Sequence, residues 1–175
     1  GSEEAALKDV LRLSRGMSYK AAIAGLNLGG GKAVIIGNSR NDKNEILFRS
    51  FGRFVEGLAG RYITAEDVGT SVKDMEWVRM ETRYVTGISR ALGGSGDPAP
   101  VTALGTFSGI KATVKKQFGK ESLNGLSIAV QGVGHVGYHL CKYLSKEGVN
   151  LYVNDIDSNA IKRVINEFGG SVIDS

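Results

Sequence analysis

The sequence predicts an α/β protein in two parts: a partial α/β domain over residues 1–88, then the first half of a doubly wound parallel α/β domain over residues 89–175. Three observations lead there. The second half carries a β-branched run, a Gly-x-Gly-x-x-Gly turn, an amphipathic helical stretch and another β-branched run, in that order. The first half alternates helical and strand-like periodicity. Between them, Gly87 to Pro100 is loop chemistry, ending in Gly-Gly-Ser-Gly-Asp-Pro-Ala-Pro.

Gly1-Ser2 reads as a cloning remnant, and helical spacing begins directly after it. Ala5, Ala6, Leu7, Val10, Leu11 and Leu13 share a face, and Glu3 and Glu4 suit the first turn. The apolar run Ala33 to Ile36 predicts a strand. A helix follows over about 44–59, with Leu47, Phe48, Phe51, Phe54, Val55 and Leu58 as core candidates and Gly60 as its stop. Arg61 to Thr64 reads as a strand ending at Ala65-Glu66-Asp67, where a carboxylate can project from the strand end. Ser71 caps a short helix to about Met80, Asp74 completes a capping box, and Trp77 is expected to pack rather than to stack on a base.

After the loop, Pro100 suits the first turn of a helix that continues through Leu104, Phe107, Ile110 and Val114 to Gly119. Leu126 to Gln131 is a short buried-strand run, Tyr138 to Lys146 an amphipathic helix closed by Gly148, and Asn150 to Asn154 a second strand. Ser158 is the expected cap of a last helix bearing Ile161, Val164, Ile165 and Phe168, with Gly169 as stop and 171–175 left for a third strand.

Composition narrows the function classes. The net charge of +4 comes from lysines and arginines interleaved with acids, without aromatic platforms, which describes a solvated surface and not a nucleic-acid interface. No apolar run approaches the roughly 20 residues of a membrane span. The single cysteine, Cys141, cannot form an intrachain disulfide and sits in an apolar helical pattern, which suggests a reducing, cytoplasmic setting and an inert core thiol. His135 and His139 are four apart but lack the glutamate of a His-Glu-x-x-His zinc motif, so no metal is expected. The 25 glycines are about twice the usual share of ~7%, so the backbone often needs positive φ or close approach.

The turn Gly132-Val-Gly134-His-Val-Gly137 is weak evidence alone and strong in its setting of strand, helix, second strand and terminal acid. Gly132 permits the tight turn, Gly134 lets a pyrophosphate approach the backbone, and Gly137 lets helix and strand pack closely. The helix start offers unpaired N–H groups to the anion. Asp155, 18 positions after Gly137, would accept hydrogen bonds from a ribose 2′-hydroxyl and repel a 2′-phosphate, favouring NAD over NADP. The second mononucleotide half of such a fold is absent, so the chain reads as a fragment of a longer enzyme.

A nicotinamide cofactor directs attention to proton-transfer groups in the first half: Lys20, Lys32 and Asp67. Lys32 follows three glycines, but the stretch is no P-loop, since Leu26 and Ala33 stand where that motif needs glycine and a hydroxyl. Two lysines and an aspartate suit amino-acid oxidation: one ammonium anchors a carboxylate, while the other, its pKa lowered by burial and a like charge, handles protons. The glycines would let substrate pack on bare backbone. Solvated lysines and turn glycines explain the same residues equally well.

Gly16-Met-Ser-Tyr-Lys20, Gly25-Leu-Asn-Leu-Gly-Gly-Gly-Lys32, Arg61-Tyr-Ile-Thr-Ala-Glu-Asp-Val-Gly69, Tyr84-Val-Thr-Gly87, Asp97-Pro-Ala-Pro-Val-Thr-Ala103 and Val130-Gln-Gly-Val-Gly134 resemble successive motifs of leucine dehydrogenases, within the glutamate/leucine/phenylalanine/valine dehydrogenase superfamily. The resemblance implies reversible, NAD-dependent oxidative deamination of a branched-chain L-amino acid to its 2-oxo acid and ammonia by a homo-oligomer. It implies that Lys20 holds the substrate α-carboxylate beside Gly29 and Gly30. Lys32 would activate water and support the carbinolamine steps, and Asp67 would relay protons. Thr102 would contact the cofactor near the nicotinamide, with Gly132, Gly134, Gly137 and Asp155 binding the remainder. N-terminal strands, the rest of the cofactor domain and a returning C-terminal segment of the family have no counterpart in the chain. Phenylalanine, valine or glutamate as substrate, or a non-catalytic nucleotide-binding module, are the competing readings.

Overall fold

The computed structural model describes residues 2–173. Gly1 lies outside the described residues, as do Asp174 and Ser175 of the expected third strand. The fold is mixed α/β with a parallel sheet, and the chain divides into two compact units, Gly1–Asp97 and Pro98–Ser175. No helix among the described residues is long and apolar enough to cross a membrane.

In the first unit, helix α1 spans Glu3–Ile23, ten residues beyond Leu13 and straight through Gly16. Ser2 caps it by accepting from the Ala5 amide at 3.2 Å, and Lys20 lies in its last turn, where a cation complements the helix dipole. Its apolar face is not core: Leu7 and Leu11 are about 60% exposed, and only Ala21 is buried. No described element covers that face. Helix α2, Glu45–Gly57, starts where Asn44 accepts from the Leu47 amide at 2.9 Å. Phe48, Gly52 and Val55 share its buried face, while Phe54, placed in the core by the sequence reading, is 68% exposed. Six positions after Phe48 is about 240° around the helix, so the two cannot both face inward.

Gly52 permits α2 to lie against helix α3, Val72–Arg79, since a Cβ there would stand 2.8 Å from the Val78 carbonyl. The capping box of α3 is complete, with Asp74 buried and also held by Lys43 at 2.6 Å. Trp77 packs on Phe48 beside Met75, Val78, Val85 and Ile88.

The two strands expected in this unit do not form. Residues 33–36 have no strand pairing, and 61–64 shrinks to one parallel bridge, Thr64 to Val85, closed by Thr64 N–H to the Tyr84 carbonyl at 3.0 Å and Thr86 N–H to the Thr64 carbonyl at 2.9 Å. β-propensity needs a neighbour to become a strand. No described segment offers a ladder to Val34, Ile35 and Ile36, which are 41 to 55% exposed.

In the second unit, α4 spans Ala99–Phe118 with Pro100 in its first turn and a left-handed Gly119 at its end. Strands β1, Ser127–Gln131, β2, Asn150–Asn154, and β3, Ser171–Val172, pair in parallel in the order β1-β2-β3. Such an order suits one βαβαβ half of a doubly wound fold. Helices α5, His135–Ser145, and α6, Ser158–Phe168, are the crossovers. α5 starts three residues before the expected Tyr138, because the glycine turn runs directly into it with Gly134 as N-cap. Asp157, and not Ser158, caps α6, accepting from the Asn159 amide at 2.9 Å. Val130, Val153, Leu140, Cys141, Leu144 and Val164 form the core between sheet and helices. Burial pushes the Cys141 thiol up to about 11, so it stays protonated.

Candidate active site

The first cluster lies within the unit Gly1–Asp97. From the end of α1 the chain runs without regular structure through residues 26–36, and two of its glycines are fixed by internal packing. A Cβ on Gly30 would stand 1.8 Å from the Ser14 carbonyl oxygen and 2.4 Å from Ser18 Oγ, so this residue lies directly on α1. A Cβ on Gly31 would stand 2.7 Å from the Tyr62 ring. Only Gly29 of the three has open space around it. The sequence reading gave all three to substrate approach; the fold itself occupies two of those faces.

This packing delivers Lys32 to Asp67. The Lys32 ammonium donates to Asp67 Oδ2, with the lysine side chain 19% exposed and the aspartate 54%. Asp67 is held in a tight turn. Its Oδ1 accepts from the Val68 amide at 2.7 Å, its N–H donates to Thr70 Oγ1 at 2.8 Å, and the Thr70 hydroxyl donates back to the Asp67 carbonyl at 2.7 Å. One carboxylate oxygen is thereby fixed on backbone and the other left for Lys32. Thr70 was missed in the sequence, although the Asp-x-x-Thr spacing of a side-chain-stabilised turn is its signal.

The Lys32 pKa is lowered, first by burial and then by the positive charge of Lys20 on α1. The Asp67 carboxylate opposes both by favouring the charged amine. Lys20 itself is exposed. The structure thus couples Lys20, Lys32 and Asp67 electrostatically, although Lys32 and Asp67 stand 35 residues apart.

The second cluster lies within the unit Pro98–Ser175, at the carboxyl ends of β1 and β2. Gly132 has φ +87° and donates to the Asn154 carbonyl at 2.8 Å, joining the turn to the end of β2. A Cβ on Gly137 would stand 1.9 Å from the Gly132 carbonyl oxygen, so α5 touches the turn there. Gly134 has nothing within 4 Å of its would-be Cβ, and α5 begins at the next residue. An anion could therefore reach backbone at Gly134 and the first amides of α5. Asp155 Oδ2 accepts from the Val133 amide at 2.7 Å and Oδ1 from the Asp157 amide at 2.8 Å. These bonds hold its carboxyl below the usual range, Asp157 contributing most. Each oxygen keeps a lone pair for a further donor. Thr102 is exposed on α4, its hydroxyl donating to the Pro98 carbonyl at 3.0 Å. The residues present therefore fit a dinucleotide.

Two surface cavities among the described residues lie away from these clusters. One, of 340 Å³, lies by Asn150 and Ser171 at the amino ends of β2 and β3, the opposite end of the sheet from the glycine turn. The other, of 400 Å³, lies between Glu56 and Arg83 in the first unit. Among the described residues no three His, Cys, Asp or Glu side chains gather as metal ligands.

Residues 2–84 match the family model of the Glu/Leu/Phe/Val dehydrogenase dimerisation domain. A leucine dehydrogenase of Bacillus subtilis (strain 168) is 60% identical over 173 residues, 99% of this chain and 48% of that protein. The crystal structure of L-tryptophan dehydrogenase from Nostoc punctiforme matches with a TM-score of 0.65 at 46% identity, over 98% of this chain and 48% of that one. Hetero-hexameric glutamate dehydrogenase from Thermus thermophilus, in its leucine-bound form, matches with a TM-score of 0.73 at 25% identity, over 85% and 39%. The chain spans about half the length of the curated relatives it matches. Residues 2–84 thus match that family model, and nearly the whole chain is similar, at 60% identity, to about half of a leucine dehydrogenase.

Proposed function

We propose that the chain carries the catalytic lysine region and the first half of the cofactor site of an NAD-dependent amino-acid dehydrogenase, with L-leucine as substrate. The reaction is oxidative deamination: amino acid, NAD and water give 2-oxo acid, ammonium, NADH and a proton. Residues 1–88 supply substrate and proton-transfer groups, and residues 89–175 hold the dinucleotide. The observation that carries the reading is the lowered pKa of Lys32 in contact with Asp67. A lysine whose pKa is lowered gives up its proton more readily and can then take one from attacking water, which a fully charged ammonium cannot do.

Lys20, whose positive charge already acts on Lys32, binds the substrate α-carboxylate, and Gly29 leaves open space on the segment that leads to Lys32. Asp67 accepts the proton that Lys32 passes on and returns it when the reaction runs in reverse. When bound, NAD accepts the substrate hydride. Gly132, Gly134 and the start of α5 would hold its pyrophosphate, with Gly137 keeping α5 against the turn; Asp155 would hold its ribose, and Thr102 the nicotinamide side. The leucine assignment follows the 60% identity to leucine dehydrogenase, against 49% to a tryptophan enzyme. A cytoplasmic homo-oligomer is the expected working form; the hetero-hexameric Thermus relative supports assembly into an oligomer, not identity of the subunits.

Two experiments test this. Calorimetry of the chain with NADH should show binding and with NADPH much weaker binding; equal affinities overturn the role of Asp155. In a protein of full family length carrying these residues, Lys32→Ala should abolish leucine-dependent NAD reduction. Retained turnover overturns the role of Lys32.

A further inference from the structure

The carboxylate proposed to read the ribose is itself engaged by two backbone amides. Asp155 Oδ2 takes the amide of Val133, the residue between the first two glycines of the turn, at 2.7 Å, while Oδ1 takes the Asp157 amide at 2.8 Å. Val133 is fully buried, and its neighbour Gly132 donates to the Asn154 carbonyl at 2.8 Å. The turn after β1 is therefore joined to the end of β2 by two bonds from successive amides, one to backbone and one to a charged side chain. A hydrogen bond to a charged acceptor is stronger than a neutral one.

We infer that Asp155 is a positioning residue for the glycine-rich turn as well as a reader of the ribose: it holds the turn in its anion-accepting conformation. The geometry stands without the dinucleotide reading, and only the functional consequence rests on it. That consequence concerns specificity. Replacing Asp155 to admit a 2′-phosphate would also release the turn, so such a variant should lose affinity for both nucleotides and not simply exchange one for the other.

The test is amide hydrogen exchange of the chain with no nucleotide present, which keeps a failure of this inference distinct from a failure of cofactor binding. In Asp155→Ala, the Val133 amide should exchange about tenfold faster or more, the loss expected for one charge-assisted bond. Val130 and Val153, in the strand cores, should keep their protection. Asp155→Asn, which retains one acceptor oxygen, should restore part of the difference. Unchanged exchange at Val133 in a variant with intact strand protection overturns the inference. If Asp155→Ala does not fold, the unmodified chain decides by NMR: the Val133 and Asp157 amide resonances should shift together as the Asp155 carboxyl titrates. A Val133 resonance that ignores that titration overturns it equally.

Discussion

Lys32 and Gly30 show how single residues carry the account. The folded-state pKa of Lys32 lies below the ordinary lysine value of 10.5. Between the two values the unfolded chain binds more protons than the folded one, so stability rises as pH climbs through that window, and below it the full cost of charging a half-buried amine is present. Lys20→Gln removes the like charge and should narrow the window from below. Urea titrations from pH 8 to 11 should show a smaller rise in stability than in the unmodified chain; an unchanged rise would mean that Lys20 does not act on Lys32. Gly30→Ala has no room beside the Ser14 carbonyl, so it should destabilise by about 1–3 kcal/mol through overpacking, and Gly29→Ala by less than 1 kcal/mol. Equal effects in urea melts would show that the glycines are not divided between packing and open space.

At the scale of elements, what could be read from sequence depended on how far away the partner was. The helices were legible because their signals are local: the Ser71–Asp74 capping box stands where spacing put it, and the helix expected from about residue 44 begins with Asn44 as its cap. Asn44→Ala should cost about 1 kcal/mol of stability, measured by denaturant midpoint. Strands β1 and β2 were legible because the α5 crossover between them brings them side by side. Residues 33–36 have the same β-branched composition but no described partner, and remain without a ladder. Gly137 was legible from its motif, and its contact with the Gly132 carbonyl gives the reason. Gly137→Ala should push α5 from the turn, cost about 1–3 kcal/mol and weaken NADH binding at least as much as Asp155→Ala. Retained NADH affinity in calorimetry would mean that the turn does not hold the pyrophosphate.

At the scale of the whole chain, two units with separate cores each present one chemical cluster. The nucleotide cluster could be read directly, because glycines, helix start and acid are spaced by the fold in a fixed order. The lysine cluster could be read only as a set of candidates, since nothing in local spacing joins Lys32 to an aspartate 35 residues later; the resemblance gave the pair its roles. The turn that aims Asp67, closed by Thr70, is visible in the fold. The measurement that bears most directly on the central claim is an NMR titration of the Lys32 side chain, labelled at Cε, in this chain. The account predicts a midpoint below 10.5. A midpoint at or above that value would mean that Asp67 holds the amine fully charged, and the proton chemistry assigned to Lys32 would be contradicted.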